Sequence, residues 1–466
     1  MEMIMNTRFW ILLVLGLLLI IAAIATKAIQ FLAAEPKVTV DYLAEYNKIS
    51  KPDGFDQNDN ADELYKEAGR AYASPSTSAS YFRNKEIQDI NEVDKTSLNE
   101  WIAQNSRCLK YLEEGNKKKF FWAKEDENRD GVLVAKNLGP ENMDDITQLL
   151  RQKARLAAMD GNFEDSLKAL IEWWKVRQHY SNPKMLWPQR EIQTKSHILK
   201  AASLILDYFT LDANTLRLWQ EKWQKEFDAD DYIPDFQTQR LYYYDQIQRN
   251  FVYNTKGEGH LAWKRVKYFL CLCGEEYNRR IYLSCFNGPT SNEVSQIVSS
   301  VCDYYQGIVN KTPWEVRYPE AEFQSHLEEL QKKKPIFGHF VPLIRPVWVS
   351  YHGLKAQSDA LVTVTAILRY KADHNTYPEN LEVLLKYKYI EKLPKDPFSD
   401  GPLVYHLLKD EFELYSVGPD FIDDGGKGVW GHDLLFAAND EGDEIFWPPL
   451  KRDLQNRKLY RFKSEQ

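Results

Sequence analysis

The first pattern along the chain is an unbroken apolar run over residues 9–26, directly after Arg8. Its length meets the roughly 17–25 residues that a helix needs to cross a bilayer. No later segment matches it, so the pattern predicts one N-terminal transmembrane helix with the remaining chain on one side of the membrane. Arg8 and the terminal amine outweigh Glu2, which favours an exported body. A cleaved signal peptide is the alternative, because Ala23 and Ala25 have cleavage-site spacing.

Helical periodicity dominates residues 93–230. One apolar stripe comprises Ile146, Leu149, Leu150, Ala154 and Ala157, and a second comprises Leu167, Leu170, Ile171 and Trp174. The break Asp160-Gly161-Asn162 lies between them and predicts an antiparallel helix pair, similar to a single tetratricopeptide hairpin without a 34-residue repeat. The pairs Trp173/Trp174 and Trp219/Trp223 fit either a sugar-binding groove or a core, and helical spacing favours the core.

The pattern changes after the proline-rich stretch 332–353. Residues 354–372 predict an amphipathic helix, and a shorter helix follows. The runs "PLVYHLL" and "EFELYSV" predict a β-hairpin around Lys409-Asp410, and "DLLF" and "EIFW" predict two further short strands.

These patterns predict an α+β chain in four parts. They are an N-terminal anchor or signal peptide (1–34), a mainly helical extracytoplasmic domain built of helical hairpins (35–350), a module with one long helix and a small antiparallel sheet (351–449), and a basic tail (450–466). A length of 466 residues is sufficient for two or three such units.

Composition narrows the functional classes. The net charge of −8 argues against a general nucleic-acid binder, because phosphate binding requires a strongly basic surface. The five cysteines fit no standard zinc spacing. In an oxidising compartment Cys271, Cys273, Cys285 and Cys302 can form disulfides, whereas the alternative makes all five, with Cys108, small buried apolar residues.

The C-terminal motifs carry a resemblance. The order of a helix, "NTYPENLEVLL", "LPKDPFSDGPLVY", "FELYSVGPD", a glycine-rich loop and "HDLLF" over about 354–436 resembles the C-terminal domain of the major pseudopilin of type II secretion systems. The resemblance implies a long helix on a small antiparallel sheet and a loop that binds calcium. The chain departs from that family by placing about 320 residues between the membrane segment and this module, and "NTRFWILLVLG" lacks the prepilin-peptidase site.

The stretch 413–428 runs from a β-rich segment into clustered aspartates and glycines. Calcium takes six to eight oxygen ligands, which such a loop can supply. By the resemblance, Asp420 and Asp433 are metal ligands, and Asp423 and Asp424 are local candidates, so we expect a structural Ca²⁺. A solvated acidic surface loop is the alternative. The segment "DENRDG", residues 126–131, matches only the first half of an EF-hand loop, since Asn137 stands where the bidentate Glu is required.

The sequence contains no HExxH, GxSxG, Walker or dinucleotide-binding motif. We therefore expect a membrane-tethered structural or interaction protein, with its body in the periplasm or another extracytoplasmic space. Its partners would be the membrane, through residues 9–26, and an unidentified protein, in secretion or envelope assembly. An exported glycan-acting hydrolase that uses carboxylates within residues 93–350 is the alternative. The tail "KRDLQNRKLYRFK" predicts a solvated charged end or a contact with anionic polymers.

Overall fold

The structure, a computed structural model, covers most of the chain. It describes residues 2–75, 90, 92–125, 143–180, 189–228, 233–253, 259–263, 265, 288–409, 411–428 and 442–449. Several features of the sequence lie outside the described residues: the EF-hand-like segment 126–131, the turn residue Asp410, the run "DLLF" with Asp433, and the basic tail 450–466.

Helices make up most of the described residues. They are α1 (Glu2–Ala33), α2 (Tyr42–Ser50), α3 (Asp62–Ala71), α4 (Glu92–Gln104), α5 (Ser106–Gly115), α6 (Met143–Met159), α7 (Phe163–Tyr180), α8 (Gln189–Tyr208), α9 (Ala213–Asp228), α10 (Gln237–Asn250), α11 (Ser291–Ile308), α12 (Pro313–Lys333), α13 (Ile344–His374) and α14 (Glu382–Lys386). The strands are β1 (Phe251–Tyr253), β2 (Gly259–Leu261), β3 (Val404–Leu407), β4 (Phe412–Ser416) and β5 (Glu444–Trp447). A mostly helical α+β chain with small antiparallel sheets is therefore confirmed.

Helix α1 is exposed along most of its apolar length. Its segment Leu13–Ala33 comprises 21 residues, of which none is buried. At 1.5 Å per residue it spans about 31 Å, which matches a hydrocarbon core of about 30 Å. The prediction of an N-terminal helix long and apolar enough to cross a membrane is confirmed. At the end of this helix the Phe31 ring stacks on His260 of β2, with ring centroids 4.5 Å apart.

Helices α6 and α7 form the predicted antiparallel pair. Gly161 has φ +74°, a left-handed conformation that glycine adopts without a Cβ penalty. The Asn162 N–H donates to the Ala157 carbonyl at 2.8 Å, which closes the end of α6. The predicted stripe residues of α6 are buried except Ala157, which is half-buried beside a fully buried Ala158. The pattern thus identified the inward face to within one residue.

The tryptophans at helical spacing are core residues. Trp173, Trp174, Trp219 and Trp223 are each at most 1% exposed. Trp174 meets Trp223 edge to face at 6.2 Å, and Trp223 stacks on Phe227 at 5.4 Å. The core interpretation is confirmed, and these rings hold α7 and α9 together.

Helix α13 connects the helical body to the C-terminal sheet. It begins at Ile344 rather than at residue 354, because Pro346 lies in the first turn, where a helix makes no use of the missing N–H. Along its length it packs against α8, α9 and α11 and then against β4 and β5. Its C-cap residue, Asn375, has φ +60°. The boundary predicted at 350/351 therefore falls inside one continuous helix.

The C-terminal sheet is antiparallel, with strand order β3-β4-β5. Val404 pairs with Tyr415 and Leu407 with Phe412, which confirms the predicted hairpin. Strand β5 confirms the prediction for "EIFW" and pairs with β4 through Leu414 and Trp447. All five residues of the central strand β4 are buried, since α13 and the neighbouring segments cover it.

Cys108 and Cys302 are free and fully buried. Burial raises the pKa of each thiol to about 12, so neither is a reactive thiolate at neutral pH. The buried-apolar interpretation holds for these two. Cys271, Cys273 and Cys285 lie outside the described residues.

Candidate functional site

The acidic loop, residues 417–428, follows β4 directly. Gly418 has φ +79°, and a Cβ at this position would lie 2.3 Å from the Gly442 carbonyl oxygen. Only glycine permits so close an approach, which holds the loop against the segment leading into β5. The Phe421 N–H donates to the Gly418 carbonyl at 3.1 Å and closes the first turn.

Asp420 links two separate stretches of backbone. Its Oδ1 accepts the Ile422 N–H at 3.1 Å, and its Oδ2 accepts the Gly442 N–H at 2.7 Å. The carboxylate is half-buried. Both oxygens therefore satisfy backbone donors that a tight loop would otherwise leave without partners.

Asp423 and Asp424 occupy the exposed rim of the acidic loop. The Oδ1 of Asp423 accepts the Gly425 N–H and the Tyr415 hydroxyl, each at 2.9 Å. The Asp424 backbone N–H donates to Oδ1 of Asp443 at 3.3 Å, and its own side chain points to solvent-exposed space. The structure thus brings three predicted site residues onto one short loop, whereas Asp433 lies outside the described residues.

Asp443 is a buried carboxylate of this loop that the sequence pattern did not indicate. Its Oδ2 accepts the Gly426 N–H at 2.7 Å and the Lys427 N–H at 3.2 Å. Burial raises the pKa of Asp443 to about 6, although three backbone donors act in the opposite direction. The only sequence signal is a Gly-Asp pair immediately before a β-rich run.

Asp396 is the second carboxylate that sequence reasoning missed. It is fully buried and accepts three hydrogen bonds: from the Ser416 hydroxyl at 2.7 Å, the Val417 N–H at 3.0 Å and the Phe398 N–H at 3.0 Å. Burial raises its pKa despite these donors. Asp396 therefore ties the turn "LPKDPF" to the end of β4 in "LYSVG", so the two quoted motifs are physically one unit.

The acidic loop also contacts the helical body. At the start of α12 the backbone N–H of Trp314 donates to the Pro397 carbonyl at 3.1 Å. The Trp314 ring contacts the Phe421 ring, with centroids 6.0 Å apart. Lys395 pairs with Glu315 of α12 at 3.5 Å. Phe421 of the acidic loop and the turn at Lys395 and Pro397 therefore both contact the start of α12.

A calcium site requires several oxygens that converge on one point. Within the described residues, no group of three or more His, Cys, Asp or Glu side chains is arranged to hold a metal ion. The carboxylates of Asp420, Asp423 and Asp443 instead accept backbone N–H groups of the loop. These hydrogen bonds hold the backbone of the loop in place.

No protein-family model matches this chain, and no curated protein or solved structure matches it. The functional interpretation therefore depends on the residues themselves.

Proposed function

We propose that this chain is a membrane-tethered protein of a bacterial envelope that acts by binding a protein partner. In this proposal α1 crosses the inner membrane once, and the body lies in the periplasm or another extracytoplasmic space. The observation that carries the proposal is α1 itself, because a predominantly apolar helical segment of 21 residues, none of them buried, requires another apolar environment.

The orientation follows from charge and from the end of α1. Arg8 lies on the N-terminal side of the apolar segment, which favours retention of that end in the cytoplasm. The contact between Phe31 and His260 supports a body that begins at the membrane surface. A short distance between membrane and body would limit the partner to the vicinity of the membrane.

We also propose that the C-terminal part is a pseudopilin-like module that acts in secretion or envelope assembly. Support comes from the long helix α13 packed on a three-stranded antiparallel sheet. The junction of the two quoted motifs through Asp396 adds to it. In this proposal the module presents the acidic loop to a partner.

The third part of the proposal is a structural Ca²⁺ held by Asp420, Asp423, Asp424 and Asp433. Its support is that Asp424 is exposed and that one oxygen of Asp423 is not used by the loop hydrogen bonds named above. A cation there would also reduce repulsion between neighbouring carboxylates. The ion would add to the existing hydrogen bonds and has no catalytic role.

The calcium test is thermal unfolding of the full chain in detergent micelles, with Ca²⁺ and with chelator. A ligand that binds only the folded state stabilises it by about 2.7 kcal/mol at one hundred times its Kd. We expect Asp420→Ala to lose the calcium-dependent shift and Asp400→Ala, an exposed carboxylate of the same module, to keep it. The readout is the difference between the two conditions, because Asp420→Ala also removes two backbone hydrogen bonds. An unchanged midpoint in the wild type would remove the ion from the proposal.

The tether is tested by expressing the chain in a bacterium and extracting membranes at alkaline pH. We expect the full-length chain to stay with the membrane, its body to be accessible from the extracytoplasmic side, and Leu17→Arg/Ile20→Arg to release it. A mature protein that lacks residues 1–25 would show a cleaved signal peptide instead. Turnover of peptidoglycan or a common glycan, abolished by one carboxylate substitution within residues 93–350, would favour the hydrolase alternative.

A further inference from the structure

The hairpin of β1 and β2 lies against the end of α1. Phe31 is two residues before the end of the apolar segment Leu13–Ala33, a distance of about 3 Å along the helix axis. Its ring stacks on His260 of β2, with centroids 4.5 Å apart and planes 10° from parallel. Burial lowers the pKa of His260, so the ring that contacts Phe31 is uncharged at neutral pH. If α1 crosses a bilayer, β2 therefore lies at the depth where the hydrocarbon core ends.

The segment that connects α1 to the body is also held in place. Gln248, in the last turn of α10, is buried, and its Oε1 accepts the backbone N–H groups of Thr39 and Val40, each at 3.1 Å. Its Nε2 donates to the Val40 carbonyl at 2.9 Å. Thr39 is six residues after Ala33, so even a fully extended chain spans at most about 20 Å there. The stacked rings and the Gln248 side chain thus both keep the hairpin close to the end of α1.

Three exposed apolar or aromatic side chains lie at this junction, and we call them the membrane-proximal face. Leu32 of α1 is 40% exposed, Val38 of the connecting segment 53% and Tyr253 of β1 40%. Tyr253 pairs with Gly259, the neighbour of His260, and paired strands are about 5 Å apart. Val38 directly precedes the residues that are fixed on α10. The exposed apolar surface of these three residues favours an apolar environment.

The chemistry of the membrane-proximal face fits the boundary between lipid headgroups and acyl chains. Tyrosine is enriched at that boundary, because its ring is apolar and its hydroxyl is polar. The two aliphatic side chains suit the acyl chains. The exposed charges of the described residues nearby are balanced, since Lys37 and Arg265 are positive and Glu35 and Asp41 are negative. The face therefore does not require anionic lipid, unlike a polybasic segment.

We propose that the membrane-proximal face is a second membrane contact, which inserts into the headgroup region of the bilayer that α1 crosses. The inference rests on the tether proposed above and adds to it a lipid-binding surface on the body. The stacking of His260 on Phe31 leaves little room for a protein between the hairpin and the bilayer. A single helix would let the body rotate above the membrane, whereas a second contact fixes which side of the body faces the lipid.

Tyr387, which follows α14, is a matched control position far from the membrane-proximal face. It is 51% exposed, similar to Tyr253. Its ring contacts His374 at the end of α13, with centroids 5.4 Å apart. The start of α13 lies near the hairpin, because Phe340 contacts Phe251 of β1 with centroids 5.5 Å apart. The 31 residues of α13 span about 45 Å, which separates the control position from the hairpin.

The test is photocrosslinking of the full chain in phospholipid vesicles, with benzoylphenylalanine in place of Tyr253, Val38 or Tyr387 and lipid adducts measured by mass spectrometry. In phosphatidylcholine we expect roughly tenfold more lipid adducts at Tyr253 and Val38 than at Tyr387, because acyl chains are within reach only at the boundary. Adding phosphatidylglycerol should leave these yields unchanged, since the contact is not electrostatic. Val38 is exposed, so its replacement should leave the fold intact even if that of Tyr253 does not.

Alkaline extraction of the same vesicles separates this inference from the tether. A chain that stays in the bilayer but gives equal lipid adducts at Tyr253, Val38 and Tyr387 would keep the tether and overturn the second contact. Adducts to another protein chain at Tyr253, without lipid adducts, would show a protein on this face and overturn the assignment to lipid. Lipid adducts that form only with phosphatidylglycerol would show an electrostatic site and equally overturn it. Release of the chain at alkaline pH would overturn both proposals.

Discussion

Asp396 offers the sharpest test of how the C-terminal module is held together. Its carboxylate is fully buried and joins the turn at Phe398 to the end of β4 at Ser416 and Val417. Asp396→Ala removes the acceptor from all three donors. Asp396→Asn keeps the acceptor for two of the donors, because Ser416 and Phe398 both donate to Oδ1. The new amide N–H group would face the Val417 N–H, so that donor would lose its acceptor.

The magnitude follows from those contacts. Each buried donor left without an acceptor costs about 1–3 kcal/mol, and relief of the carboxylate's own desolvation offsets part of the sum. We therefore expect Asp396→Ala to lower the free energy of unfolding by about 4 kcal/mol and Asp396→Asn by about 2 kcal/mol. Asp400→Ala in the same turn is the control. Its side chain is exposed, so its effect should stay within about 0.5 kcal/mol.

The assay combines urea unfolding of the full chain with hydrogen exchange of peptides that contain Phe398 and Val417. Both amides donate to Asp396, so Asp396→Ala should speed their exchange by up to about a thousandfold, the equivalent of about 4 kcal/mol. Amides of α6 and α7 should exchange as in the wild type. If Asp396→Ala unfolds within about 0.5 kcal/mol of the wild type and the two amides stay protected, the argument from buried donors is refuted.

Two further predictions concern the acidic loop. Gly418→Ala should lower the free energy of unfolding by about 3 kcal/mol, because its Cβ would collide with the Gly442 carbonyl. Gly425 has φ +73° but open space around it, so Gly425→Ala should lower the free energy of unfolding by only about 1 kcal/mol. Equal losses for the two variants in urea unfolding would contradict the close approach at Gly418. Burial raises the pKa of Asp443 to about 6 in the folded state, above the unfolded value of about 3.9. The folded state therefore binds this proton more tightly than the unfolded state. The contribution of Asp443 to stability is full below pH 4 and is lost as the pH rises through 6. Asp443→Asn should remove this part of the slope in urea unfolding between pH 4 and 7, and an unchanged slope would show that other groups account for it.

Local patterns were sufficient for much of the fold. The apolar run of α1, the stripes of α6 and α7 and the β-hairpin of β3 and β4 each depend on residues close in sequence, where periodicity is informative. The start of α13 was missed because Pro346 was interpreted as a break, although proline is compatible with a first helical turn.

The carboxylate roles depend on contacts that no local pattern contains. Asp396 lies 20 residues from Ser416, and Asp420 lies 22 residues from Gly442. The clustered aspartates Asp420, Asp423 and Asp424 were predicted as metal ligands, which stays a prediction, whereas the isolated Asp443 gave little signal.

The continuity of α13 restricts how this chain can be divided. The helix buries Ile344 and Trp348 among the body helices and Val364 and Ile367 farther along, with no exposed linker between them. Any cleavage or recombination near residue 350 would leave two fragments, each with an apolar helix face open to water. If the C-terminal part was exchanged between proteins during evolution, the exchange would have had to keep α13 intact. A chimera joined after Asn375 or before Ile344 therefore has better prospects of solubility than one joined where the composition changes.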